Sequence, residues 1–164
     1  MDIKFIEDNI ESHIESFNNL KKDNALLKTF LSASGKAIEV IKNGNKIFFA
    51  GNGGSASDAQ HASAELVVRF NKNRIAVAAI ALGTNTAIAT AISNDFGYEY
   101  IFSRQLEALA KKNDIVIGIS TSGNSISIVN LLSKAKEIGC ITIGFTGQNG
   151  GKMNEFCDFL IKVP

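Results

Sequence analysis

At 164 residues the chain has the size of one domain, long enough for a substantial core. Its 45% apolar and 20% charged residues are the balance of a folded, water-exposed protein. A formal net charge of +1, with no concentrated basic patch, argues against nucleic acid as the main ligand.

The first residues, MDIKFIEDNIESH, lack the pattern of a signal peptide. Residues 2–22 read as an amphipathic helix with Ile3, Ile6, Ile10, Phe17 and Leu20 on one seam. His13 interrupts that seam and reads as a packed or hydrogen-bonded interface histidine rather than a ligand. A second helix is expected over 25–43, with Leu27, Phe30, Leu31, Ala37, Ile38 and Ile41 inward and Gly44 as terminator. Two helices ahead of the first strand leave surplus apolar surface, which points to self-association.

From Lys46 onward strands and helices alternate, the pattern of a parallel sheet covered on both faces. Strands are expected near 46–50, 76–82, 114–119, 141–145 and 159–163. Helices are expected near 55–70, 85–93, 102–111 and 126–138, with a short one near 151–155. No apolar run is long enough to cross a bilayer, so no membrane partner is expected. Cys140 and Cys157 lie in or beside apolar strands and read as buried thiols in a reducing compartment. The protein is therefore expected in the cytoplasm. The division this gives is one domain over 1–164, with a helical pair over 1–44 and an α/β core over 45–164.

The stretch KIFFAGNGGSASDAQHASAELVVR, from Lys46 to Arg69, concentrates the candidate chemistry. A buried strand, a turn of Gly51-Asn52-Gly53-Gly54 and a helix opening at Ser55 aim backbone N–H groups and a helix dipole at an anion. Asp58, His61, Glu65 and Arg69 follow at helical spacing and would share one stripe. Gly51-x-Gly53-x-x-Ala56 satisfies a loose dinucleotide fingerprint. The second strand, Ile75 to Leu82, ends in Gly83-Thr84 without the acidic residue that a ribose needs, so that reading is set aside. Gly151-Lys152-Met153 also falls short of a nucleotide phosphate loop.

In parallel sheets ligands bind beyond the carboxyl ends of the strands. Ser93-Asn94-Asp95-Phe96-Gly97 is one polar turn placed there. Ser120-Thr121-Ser122-Gly123-Asn124-Ser125 is another, leading into the helix near Ile126. Hydroxyl and amide donors at a helix N-terminus, without lysine or acid, suit a phosphate monoester held by neutral groups and the helix dipole.

The motifs GNGGSASDAQHASAEL, SNDFG, IFSRQLEAL, GISTSGNS and TGQNGGKM together resemble the SIS (sugar isomerase) domain family and, within it, the phosphoheptose isomerases. The resemblance implies a flavodoxin-like five-stranded parallel sheet with helices on both faces, preceded by two N-terminal helices. It implies a homotetramer with sites at subunit boundaries, one zinc per subunit and a sugar-phosphate substrate. The implied reaction interconverts sedoheptulose 7-phosphate and D-glycero-D-manno-heptose 7-phosphate, on the way to activated heptose for lipopolysaccharide or capsule.

By the same resemblance, Ser120, Thr121, Ser122 and Ser125 match the phosphate loop. Asn52, Gly53 and Gly54 match a substrate-contacting turn, and Asn94 and Asp95 a second polar loop. His61 and Glu65 match two zinc ligands, and Glu65 also the catalytic carboxylate that removes a proton on the way to an enediol. The family's acid, a histidine, and a companion glutamine lie on a helix beyond the fifth strand. They and the remaining zinc ligands are expected in a continuation past Pro164. A non-catalytic SIS module, either a sugar-phosphate sensor or a tetramer that associates with a replication initiator, is the competing reading.

Overall fold

The computed structural model describes residues 2–164. Two helices, α1 (Ile3–Lys22) and α2 (Asn24–Lys42), precede strand β1 (Ile47–Gly51). Then come α3 (Gly54–Val67), β2 (Ala79–Ala81), α4 (Thr86–Asp95), a 3-10 turn (Tyr98–Tyr100) and α5 (Ser103–Leu109). These are followed by β3 (Ile115–Ser120), α6 (Ile126–Ile138), β4 (Ile141–Gly147), a 3-10 turn (Gly151–Glu155) and β5 (Phe159–Val163). Local signals set several boundaries. The Asp23 carboxylate accepts from the Leu26 N–H at 2.9 Å and starts α2, and Asn85 does the same for α4 through Ile88 at 3.1 Å. Gly139, left-handed at φ 85°, ends α6.

All strand pairings are parallel and the order is β2-β1-β3-β4-β5. This is the flavodoxin-like arrangement expected from the sequence. Alternate residues of β1 serve the two faces. Phe48 and Ala50 pack with Leu106, Ile128, Leu131 and Leu132 of α5 and α6. Ile47 and Phe49 pack with Ala33 and Val40 of α2 and with Ala59 of α3.

The second strand is shorter than the sequence suggests. Ala76 and Val77 would extend an edge strand, but the Val77 N–H donates to the Leu66 carbonyl at 3.1 Å. Arg74 reaches the Glu65 and Leu66 carbonyls at 2.6 and 2.7 Å. The end of α3 thus captures this segment before it can pair with β1. The inward face of α2 also differs in part from expectation. Ala37 and Ile41 pack inward as expected, beside the buried Leu26, Ala33 and Val40, whereas Leu27, Phe30, Leu31 and Ile38 point outward, with Leu31 69% exposed. The helix is apolar on two sides, and periodicity could not say which one meets the sheet. Helix α1 buries no residue at all, and Ile3 and Phe17 are 73% and 68% exposed.

Two carboxylates pin the amino ends of the strands. Asp114, fully buried, accepts on Oδ1 from the Lys46 N–H at 2.9 Å and from Asn45 Nδ2 at 3.2 Å. Its Oδ2 accepts from the Lys111 N–H and from Lys46 Nζ, each at 2.9 Å. Burial pushes this carboxyl up, but the donors from Lys46, Lys111 and Asn45 outweigh it and hold the pKa below the ordinary value. Asp158 is held down likewise: burial opposes ionisation, and Lys136 with the Thr142 N–H and hydroxyl more than compensates.

Both groups titrate lower in the folded chain than in the unfolded one, where a carboxyl has a pKa of ~3.9. Their stabilisation is complete above that value and is lost as pH falls through the folded pKa. Asp114→Asn removes the charge and turns an N–H₂ toward donors, so urea unfolding should show a loss of about 3 kcal/mol at pH 7. The difference between variant and wild type should begin to shrink below about pH 4, where the unfolded carboxyl takes up a proton, and keep shrinking as pH falls through the lower folded pKa.

Candidate functional site

Strand order reverses between β1 and β3, because the chain leaves β1 toward β2 and resumes on the other side at β3. The crevice beyond the carboxyl ends of these two strands is where such sheets bind ligands. A cleft of about 240 Å³ occupies that place, lined by Asn52, Ser55, Ile119, Ser120, Thr121, Ser122 and Ser125. None of these carries a charge. The turn into α3 is tight: a Cβ on Gly51 would strike the Ser55 backbone, and Gly53 caps the helix at φ 57° without a side-chain bond. Gly53 and Gly54 therefore frame a bare-backbone turn, with Asn52 as its only side chain.

The loop after β3 is rigid by its own bonds. Ser120 Oγ donates to Ser125 Oγ at 3.2 Å, the Gly123 N–H to the Ser120 carbonyl at 3.0 Å, and the Asn124 N–H to Ser122 Oγ at 3.1 Å. Neighbouring loops brace it: the Gly147 N–H donates to the Thr121 carbonyl at 2.9 Å, and the Lys152 N–H to Asn124 Oδ1 at 3.0 Å. Gly123, at φ 65°, has no room for a side chain against the Gly150 backbone, and Gly151 has none against the backbone of Ser122 and Gly123. Despite its serines, α6 has no side-chain cap at Ser125. Plain capping therefore does not account for the cluster, and although the Ile128 N–H donates to the Ser125 carbonyl at 2.9 Å, the Ile126 and Ser127 N–H groups stay open to an anion.

Asn52 is held from two sides that the sequence did not reveal. Its Nδ2 donates to Ser127 Oγ at 3.0 Å, and its Oδ1 accepts from the Tyr98 hydroxyl at 2.7 Å. Ser127 is buried in the first turn of α6. Its position two residues past Ser125, on the face turned to the crevice, is the one sequence signal for it. Nothing in the sequence singles out Tyr98.

The other predicted residues lie outside the cleft. His61 and Glu65 stand one turn apart on α3, with Nε2 3.7 Å from Oε1, and are 77% and 34% exposed at their side chains. Glu65 is ten residues along α3 from Ser55, about 15 Å of helix axis. Arg69 does not join their stripe. Helix α3 ends at Val67, and the Arg69 guanidinium bonds Asn73 instead. Asn94 and Asp95 do not form an open loop: they are the last turn of α4, where Asn94 Nδ2 donates to Asp95 Oδ1 at 2.9 Å. Asn85 caps this helix, which runs on through the expected polar turn.

An imidazole nitrogen and a carboxylate oxygen one turn apart are donors that zinc accepts, and His61 and Glu65 can turn onto one ion. Among the described residues no group of three His, Cys, Asp or Glu converges. By itself the pair supplies two of the donors that a zinc shell needs. The two thiols offer no nucleophile. Burial, then the Asp114 charge, pushes Cys140 up to about 11, and burial, then the Asp158 charge, pushes Cys157 up to about 12.

The SIS domain family model matches residues 11–147. The phosphoheptose isomerase of Aneurinibacillus thermoaerophilus is 52% identical over 163 residues, covering 97% of this chain and 82% of the relative. That of Aliarcobacter butzleri is 57% identical over 132 residues, covering 80% and 70%. Among solved structures, a phosphoheptose isomerase from Francisella tularensis superposes with a TM-score of 0.92 at 31% identity, covering 100% of this chain and 86% of that one. The phosphoheptose isomerase from Neisseria gonorrhoeae gives 0.85 at 35% identity, covering 97% and 86%.

The uncapped donor loop predicts an anion site. Ser120→Ala combined with Ser122→Ala should weaken binding of inorganic phosphate about tenfold by calorimetry, with the circular dichroism spectrum unchanged, because two neutral donors are lost. Unchanged affinity would move the anion elsewhere.

Proposed function

This chain belongs to the SIS domain family, and we propose that it is an aldose–ketose isomerase acting on a heptose 7-phosphate. Sedoheptulose 7-phosphate and D-glycero-D-manno-heptose 7-phosphate are the two ends of the reaction, which supplies heptose for surface glycans. The observation that carries this reading is the charge-free donor loop at Ser120–Ser125, set on the switch-point crevice beside an uncapped helix. It suits a phosphate monoester at one end of a neutral polyol. The phosphoheptose isomerases that match most of this chain supply the reaction class.

Moving a carbonyl between C1 and C2 requires removal of the proton on the carbon beside it, and its return to the neighbouring carbon of the enediol. Glu65 is the base in this reading. Its carboxylate is partly sheltered, and His61 Nε2 stands 3.7 Å from it. Zinc held by His61 and Glu65, with further donors completing the shell, would polarise the substrate oxygens when bound. The helix length between Ser55 and Glu65 supports sites completed between subunits, with the phosphate on one chain and the base from another.

The outward apolar faces of α1 and α2 support a homotetramer that buries them. Ile6, Ile10 and Ile14 run along α1, each about half exposed, and Leu27, Phe30, Leu31 and Ile38 are exposed on α2, the kind of clustered apolar surface that marks an interaction site.

Incubation of the full-length protein with sedoheptulose 7-phosphate, followed by NMR, should show aldoheptose phosphate. Glu65→Gln keeps the shape but cannot take the proton, so turnover should fall ~10²-fold or more. Wild-type turnover in a folded Glu65→Gln protein would remove Glu65 from the mechanism. Separately, Ile10→Asp places an unpaired charge in the proposed interface and should lower the assembly state seen by light scattering. A monomer in the unmutated protein would end the tetramer reading.

A further inference from the structure

We infer that Tyr98 and Ser127 are positioning residues for the reaction, acting through Asn52. Asn52 stands alone on a turn whose other members, Gly51, Gly53 and Gly54, have no side chains to pack against it. Side-chain packing within the turn therefore cannot select its rotamer, and hydrogen bonds must. The two it makes come from two different elements, α6 and the Tyr98–Tyr100 turn: Nδ2 donates to the buried Ser127 hydroxyl at 3.0 Å and Oδ1 accepts from the Tyr98 hydroxyl at 2.7 Å. A carboxamide has two N–H groups and two acceptor sites. With one of each engaged, one donor and one acceptor remain in the cleft that also holds Ser120, Thr121, Ser122 and Ser125. That pairing matches a sugar hydroxyl, which gives one hydrogen bond and takes another.

The clamp is itself anchored. Gly97, at φ 104°, turns the chain into the Tyr98–Tyr100 segment, and Asn130 Nδ2 on α6 donates to the Glu99 carbonyl at 3.1 Å. Helix α6 thus fixes both arms, Ser127 directly and Tyr98 through its neighbour. Tyr98 is 54% exposed, so losing its hydroxyl leaves the core untouched.

The inference rests on the isomerase reading, and the test separates the two. In the wild-type protein, KM and kcat for sedoheptulose 7-phosphate are measured beside those of Tyr98→Phe, Ser127→Ala, Asn52→Ala and the Tyr98→Phe/Asn52→Ala double variant. Tyr98→Phe should raise KM about 3- to 10-fold, the effect of one neutral hydrogen bond, with kcat little changed and the melting temperature unmoved. Ser127→Ala should act in the same direction. With Asn52→Ala already present, Tyr98→Phe should add nothing, because its effect passes through the missing carboxamide. An unchanged KM in Tyr98→Phe would overturn the inference, as would an equal fold-change with and without Asn52. A full-length wild-type protein that fails to isomerise the sugar phosphate would overturn the isomerase reading and this inference with it.

Discussion

A single buried carboxylate sets the frame on which the crevice depends. Asp114 accepts from the backbone of Lys46 at the mouth of β1 and from that of Lys111 just before β3, so it ties together the amino ends of the two strands that flank the switch point. With Ile47 set opposite Ile115, the parallel register runs to Gly51 opposite Ile119. At that far edge Asn52 and Ser120 emerge side by side. One end of the strand pair is thus closed by ionised groups, while the other carries only neutral donors. An anion arriving at the open end meets no resident carboxylate and no competing cation among the residues that line the cleft.

The helices divide in a similar way. On one side, α5 and α6 bury their apolar residues against the sheet and fix Ser127 and the 120–125 loop. On the other, α2 spends one face on the sheet and leaves a second apolar face outward, and α1 has no buried residue. Since hydrophobic burial is the main favourable term in folding, a helix of 20 residues with nothing buried gains little from its own subunit. In the tetramer reading its order is tied to assembly, and so are the surroundings of His61 and Glu65, which in one chain lie open.

Much of this was legible in the sequence because the signals are strong and local. The buried runs Ile47–Ala50 and Ile115–Ile119, with the glycine punctuation between them, marked the sheet and the donor loops. Tertiary competition hid the rest. Residues 75–78 have strand composition, yet Arg74 and Val77 bind the end of α3. The apolar residues of α2 satisfy two helical faces, and only the sheet chooses between them. Asn94 and Asp95 are turn formers, yet α4, capped by Asn85, runs through them. The partners of Asn52 were out of reach for another reason: Tyr98 and Ser127 lie 46 and 75 residues away along the chain, and such pairings leave no periodicity.

The contact of Gly123 with Gly150 joins two of the loops that border the crevice into one mechanical piece. A side chain on Gly123 or on Gly151 would have to prise the two loops apart. In the isomerase reading, the phosphate end of the substrate would therefore meet a wall that cannot be reshaped one loop at a time.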